Sequence, residues 1–171
     1  NSGNFIPIHG KSELNHSMMG TNKYFPAVED IQKASGTLKE ILEPTPFQRN
    51  NNLSDSYDAE VYLKREDLQM VRSYKIRGAD NKIRSIDPET LSHGIVCASA
   101  GNHAQGVAFS CNQLKIMGSI YMPVTTPKQK IEQVRMFGKE YIDIVLTGDT
   151  FDAANTAAIE YAGKSGKTFI P

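Results

Sequence analysis

The stretch Gly94-Ile95-Val96-Cys97-Ala98-Ser99-Ala100-Gly101-Asn102-His103-Ala104-Gln105-Gly106-Val107-Ala108 decides the fold. Gly94 to Ala98 is a short apolar run with the length of a buried strand. Ala100-Gly101 makes a small-residue turn. Asn102 then begins a helical pattern through Leu114, with Ala104, Val107, Ala108 and Cys111 along one side. A strand that turns straight into a helix aims backbone N–H groups and the positive helix end at one point, which makes an anion site. Phosphate and carboxylate both suit it. Ser99 and Asn102 add side-chain hydrogen bonds, and the small residues let a flat ligand approach the backbone. A plain structural turn, with Asn102 as helix cap and His103 as an ordinary histidine, accounts for the same letters.

The same alternation continues outward. Helical patterns cover Lys75 to Ile86, Pro127 to Phe137 with proline in the first turn, and a segment capped by Asp149 or Thr150 that runs to about Gly163. Strand-like runs cover Ser119 to Met122, Tyr141 to Leu146 and Thr168 to Ile170. Strands separated by helices predict β-α-β units and a parallel sheet. The expected fold is therefore α/β, a three-layer α/β/α sandwich around a four-stranded parallel sheet. Upstream, Pro26 opens a helix marked by Val28, Ile31, Ala34, Leu38, Ile41 and Leu42, which Pro44 and Pro46 end. Residues 48–58 read as a polar loop and Glu60 to Lys64 as a short strand. Residues 1–25 read as a flexible tail, in which Met18 or Met19 suits an original start.

Composition narrows the function. Nineteen Lys and Arg balance nineteen Asp and Glu, so the chain lacks the basic excess of a nucleic-acid binder and offers nothing to an anionic membrane surface. No apolar run approaches the roughly 18 residues of a membrane helix. Cys97 and Cys111 form neither a metal motif nor a disulfide framework, and read as small buried hydrophobes in a reducing cytoplasm. No Gly-x-Gly-x-x-Gly and no Walker-type phosphate loop occurs, and no cluster has metal-ligand spacing.

About twenty residues before the turn stands Ser73-Tyr74-Lys75-Ile76-Arg77-Gly78-Ala79. Lysine attacks aldehydes only as the neutral amine, and burial or a nearby cation favours that form. Arg72 and Arg77 offer cationic company, Tyr74 a flat face, and Gly78 and Ala79 room for close packing. Read alone, Lys75 could equally be a solvated helix lysine. Lys64-Arg65-Glu66-Asp67 reads by itself as a solvated charge run.

Together the two segments closely resemble signatures of the pyridoxal-phosphate enzymes with the tryptophan-synthase-β fold (fold type II), nearest to the threonine dehydratase (threonine ammonia-lyase) branch. The resemblance runs from about residue 27 to 171. It includes Thr45-Pro46, Tyr62 to Asp67 and Met122 to Pro127. It implies that Lys75 holds pyridoxal 5'-phosphate as a Schiff base, that Tyr74 stands beside the cofactor where Phe is usual, and that Asn102 bonds its 3-hydroxyl. It further implies that Ser99, Ala100, Gly101, Asn102 and His103 grip the carboxylate of an amino-acid substrate. The implied reaction is β-elimination of L-threonine to 2-oxobutanoate and ammonia, in isoleucine synthesis or threonine breakdown, by a cytoplasmic dimer or tetramer. Serine dehydratase and serine racemase are the neighbouring readings. Racemases often carry a second serine where Ala100 stands, which favours the dehydratase. A non-catalytic module binding an anion or a partner is the rival from another class. The resemblance divides the chain into 26–74, an N-terminal segment of a larger cofactor-binding domain, and 75–171, a small α/β domain. The remainder of the large domain, with its glycine-rich phosphate loop, is not in this sequence, so a weakly active or inactive fragment is expected.

Overall fold

The computed structural model describes residues 25–171. Apart from Phe25, the expected tail and both candidate start methionines lie outside the described residues.

Helix α1 (Val28–Leu38) begins after Pro26 rather than with it. Ala27 is its capping residue, and its N–H donates to Asp30 at 2.9 Å. The helix also ends a turn before the prolines. The N–H groups of Ile41 and Leu42 return to the Leu38 carbonyl, and Leu38 and Leu42 are both buried. Strand β1 (Phe47–Arg49) pairs antiparallel with β2 (Tyr62–Lys64), and α2 (Asn51–Tyr57) fills the connection. Residues 48–58 are thus not the expected loop. Asn50 accepts the Leu53 N–H at 2.9 Å, a side-chain cap that stabilises a helix start. Only Ser54 of α2 is buried, so the helix carries no apolar stripe to betray it.

Helix α3 (Lys75–Arg84) and the short α4 (Pro88–Ser92), capped by Asp87, lead into β3 (Ile95–Ala98). Then come α5 (Asn102–Leu114), β4 (Gly118–Met122), α6 (Lys128–Gly138), β5 (Ile142–Leu146), α7 (Phe151–Ser165) and β6 (Thr168–Phe169). Pro127 precedes α6 as its capping residue instead of entering the first turn. Thr150, not Asp149, caps α7 by accepting the Ala153 N–H at 3.2 Å.

The sheet is parallel throughout, in the order β5-β4-β3-β6. Side chains alternate across it as strand geometry requires. Ile95 and Cys97 pack with α3, α5 and α6, whereas Val96 and Ala98 pack with α7. The three expected layers follow. Cys97 and Cys111 lie free in the first core, and burial pushes the Cys111 thiol up to about 12. From β3 the chain steps outward to β4 and β5, then returns through α7 to set β6 on the other side of β3. The order reverses between β3 and β6. In open α/β sheets, ligands bind beyond the carboxyl ends of the strands at such a switch point.

Helices α3 and α5 meet at Gly106. A Cβ there would stand 3.1 Å from the Ile76 Cα and 3.3 Å from the Ala79 Cβ, so any side chain would have to push the two helices a few tenths of an ångström apart. Ile76 itself is fully buried. Gly106→Ala is expected to destabilise the fold by about 1–3 kcal/mol, the range for overpacking a tight core, despite the better helix propensity of alanine. Urea denaturation compared with the parent chain checks this.

Candidate functional site

The two sequence motifs reach the site by different local devices. Ahead of α3, Arg72 has a left-handed backbone (φ 57°) and Ser73 is buried. The Ser73 hydroxyl accepts the Lys75 N–H at 3.2 Å, which fixes Lys75 as the first residue of the helix. Beyond β3, the Ser99 N–H donates to the Tyr121 carbonyl at 3.0 Å. The Ser99 hydroxyl accepts the Gly101 N–H at 3.2 Å, closing a tight turn. Gly101 then caps α5, and its carbonyl accepts the Gln105 N–H. No side chain among the described residues caps this helix. Its first-turn N–H groups and positive dipole end remain available to an anion.

A cleft of about 400 Å³ is lined by Tyr74, Lys75, Gly78, Ala79, Lys82, His103, Ile170 and Pro171. It opens at the carboxyl end of β6, beside the turn that follows β3, which is the switch point. Lys75 and Tyr74 are exposed into it, with the ammonium 5.6 Å from the ring centroid, within cation–π range. Gly78 has nothing near it, so it opens space instead of closing a contact. His103 is half-buried. Its Nε2 is fully buried with no partner among the described residues. Burial first, and then the Lys75 charge, push its pKa below that of ordinary imidazole, opposed by the Ile170 backbone.

The structure therefore brings Tyr74, Lys75 and His103 into one cleft. Ser99, Ala100 and Gly101, half-buried, and Asn102, exposed, form the adjoining turn and are not part of its lining. Lys82, two helical turns beyond Lys75 on the same face, is a lining residue that sequence reasoning passed over. The i, i+7 spacing was its signal.

Arg77 does not keep company with Lys75. Its guanidinium bonds both oxygens of Glu66 at 2.8 Å, and Glu66 also accepts the Thr45 hydroxyl. Lys64 donates to the Thr45 carbonyl at 2.6 Å. Within the charge run, Arg65 and Asp67 pair with each other, Arg65 half-buried and Asp67 exposed in a short 3-10 turn. Glu66 ties the N-terminal segment to α3 through Arg77, and Lys64 braces Thr45 within that segment. Lys75 is not buried by the described residues either. Among the described residues no group of three or more His, Cys, Asp or Glu could hold a metal, and no helix is long and apolar enough to cross a membrane.

A primary amine beside a flat ring, a second cation and a neighbouring uncapped helix end suit a flat, anionic carbonyl compound.

The family described as pyridoxal-phosphate dependent enzyme matches residues 38–171. A biosynthetic L-threonine dehydratase (IlvA) of Halalkalibacterium halodurans is 58% identical over 84% of this chain and 34% of its own length. A processed threonine deaminase isoform 2 of Solanum lycopersicum superposes with a TM-score of 0.76 at 38% identity, over 85% of this chain and 41% of that one. Maize serine racemase superposes with a TM-score of 0.79 at 26% identity, over 86% and 44%. The chain spans about a third of the length of the curated relatives it matches.

Two outcomes are expected. Replacing Lys75 with Met removes a positive charge facing His103, so the His103 pKa rises, read by NMR titration of its ring protons. Glu66 is held down to about 2, chiefly by Arg77. Its contribution to stability is fully present above the unfolded carboxyl value near 4.5 and is lost as pH falls towards about 2. Glu66→Gln should flatten that part of the acid limb in denaturation measured against pH.

Proposed function

Because the chain belongs to the pyridoxal-phosphate dependent enzyme family, we propose that it carries the lysine-bearing part of a lyase converting L-threonine to 2-oxobutanoate and ammonia. The observation that carries this reading is the convergence of Lys75, Tyr74 and His103 with the end of β6 in a single cleft at the switch point. The described residues fit the cofactor. Lys75 supplies the amine and Tyr74 the flat face. His103, in the first turn of α5, brings the uncapped helix end to the border of the cleft and leaves a buried nitrogen without a partner.

Lys75 Nζ would hold the cofactor covalently and, when free, would take the α-proton of the substrate. Tyr74 would flank the cofactor ring. Asn102, in the adjoining turn, would bond its ring hydroxyl. The turn Ser99-Ala100-Gly101-Asn102-His103 orients the substrate carboxylate with backbone N–H groups and the positive end of α5. Pyridoxal phosphate, when bound, supplies the ring that takes up the electron pair left by the departing proton. His103, kept from protonation by burial, adds no second charge against Lys75. The names of the most similar relatives support the substrate and a biosynthetic role, supplying 2-oxobutanoate for isoleucine. Ala100 has no group that can move a proton, which favours elimination over racemisation. The domain division belongs to the same proposal. Residues 26–74 are part of a larger domain, a reading supported by β1 and β2 forming their own sheet, and 75–171 form the smaller one.

The test is incubation of the chain with pyridoxal phosphate, borohydride reduction and peptide mapping. The expected result is a reduced adduct concentrated on Lys75 and lost in Lys75→Ala. Adducts spread evenly over the surface lysines would instead favour a non-catalytic module.

A further inference from the structure

Asp80 is a fully buried carboxylate on α3, outside the cleft. Burying a carboxylate costs several kcal/mol unless it is paired and hydrogen-bonded. Asp80 is both. It accepts Arg84 Nε at 2.8 Å from its own helix and the Ser110 hydroxyl at 2.8 Å from α5. Ser110 is itself fully buried, and its hydroxyl also approaches the Gly106 carbonyl at 3.1 Å.

These contacts fall in register. Ile76 meets Gly106, and four residues further along each helix Asp80 meets Ser110. Equal steps along both helices mean that α3 and α5 run in the same sense along this seam, one turn of each lying between the two contacts. Their amino ends therefore emerge together. Lys75 stands one residue before the first contact and His103 three residues before it. The Ile76–Gly106 contact is apolar, and van der Waals packing alone tolerates small slides. The Asp80–Ser110 hydrogen bond has one geometry and resists them.

We propose that Asp80 and Ser110 are positioning residues that lock the helix bearing Lys75 in register with the helix bearing the anion-binding turn. The role in cofactor binding rests on the function proposed above, whereas the register does not.

Ser110→Ala removes the bond between the helices while leaving the Asp80–Arg84 pair. Asp80→Ala, which removes the acceptor altogether, is a second, independent variant. Two readouts are compared with the parent chain. The first, which needs no cofactor, is the His103 titration, which senses Lys75 across the seam. The second is the yield of borohydride-reduced pyridoxal phosphate on Lys75 relative to Lys82, the other lysine of the cleft. With the lock removed, the His103 pKa should rise towards the ordinary imidazole value, and the Lys75 to Lys82 ratio should fall roughly 3- to 30-fold, the span of coupling energies carried by such packed networks. A cavity of comparable cost elsewhere in the same core, Val134→Ala on α6, should move neither. Folded Ser110→Ala or Asp80→Ala chains with an unchanged His103 titration would overturn the proposal, as would an equal shift in Val134→Ala. Absence of any Lys75 adduct in the parent chain would count against the proposed function, while the His103 titration would still decide the register.

Discussion

The approach of two backbones at Gly106 is the constraint on which the site depends. Helices normally pack with axes 8–10 Å apart, a distance set by the side chains between them. At Gly106 no side chain intervenes, and the Ile76 backbone sits against the α5 backbone directly. That contact is one residue from Lys75 and one helical turn from His103. It ties a lysine and a turn that lie far apart in sequence to a common origin. Around it, Ile76 joins the apolar cluster of Leu38, Leu42, Val71 and Phe109, while Ala79 and Ile83 join the sheet core. Helix α3 thus belongs to two cores at once, and its amino end is the rim between them.

The handling of charge follows from the same arrangement. Helix α3 carries two arginines and two lysines. Arg77 is bound to Glu66 and Arg84 to Asp80, both at 2.8 Å, so the arginines are spent on structure. Lys75 and Lys82 remain facing the cleft, whose lining contains no acidic side chain. A cleft lined by one sign of charge, against low-dielectric walls, concentrates ligands of the other sign. Two kinds of cation on one helix therefore divide the work. The fork of arginine ties carboxylates, bidentately at Arg77–Glu66, and the compact ammonium of lysine is left facing the cleft.

The sheet and its helices were legible because burial writes period-two and period-3.6 patterns into the letters. Helix α5 begins and ends where its pattern does, and β3 to β6 fall within two residues of their apolar runs. Helix α2 and strand β1 were not legible. Their side chains are almost wholly exposed, and the helix is held by an asparagine cap and serine-to-backbone bonds that leave no periodic trace. At the site, Lys75, Tyr74 and the turn stood out by motif. The partner of Arg77 did not, because an ion pair eleven residues apart depends on how the intervening loop folds. Gly78 and Gly106 show the same limit. Both are glycines in helices, and only the fold reveals that one opens space while the other closes it.

The two residues of β6 have a consequence in time. One wall of the cleft is Ile170 and Pro171, which reach it through the pairing of Thr168 and Phe169 with Ile95 and Val96. Lys75 and His103 leave the ribosome long before that wall. At a synthesis rate of roughly 5–20 residues per second, several seconds separate Lys75 from that wall. That wall is thus added after the rest of the cleft, when β6 pairs on the far side of β3.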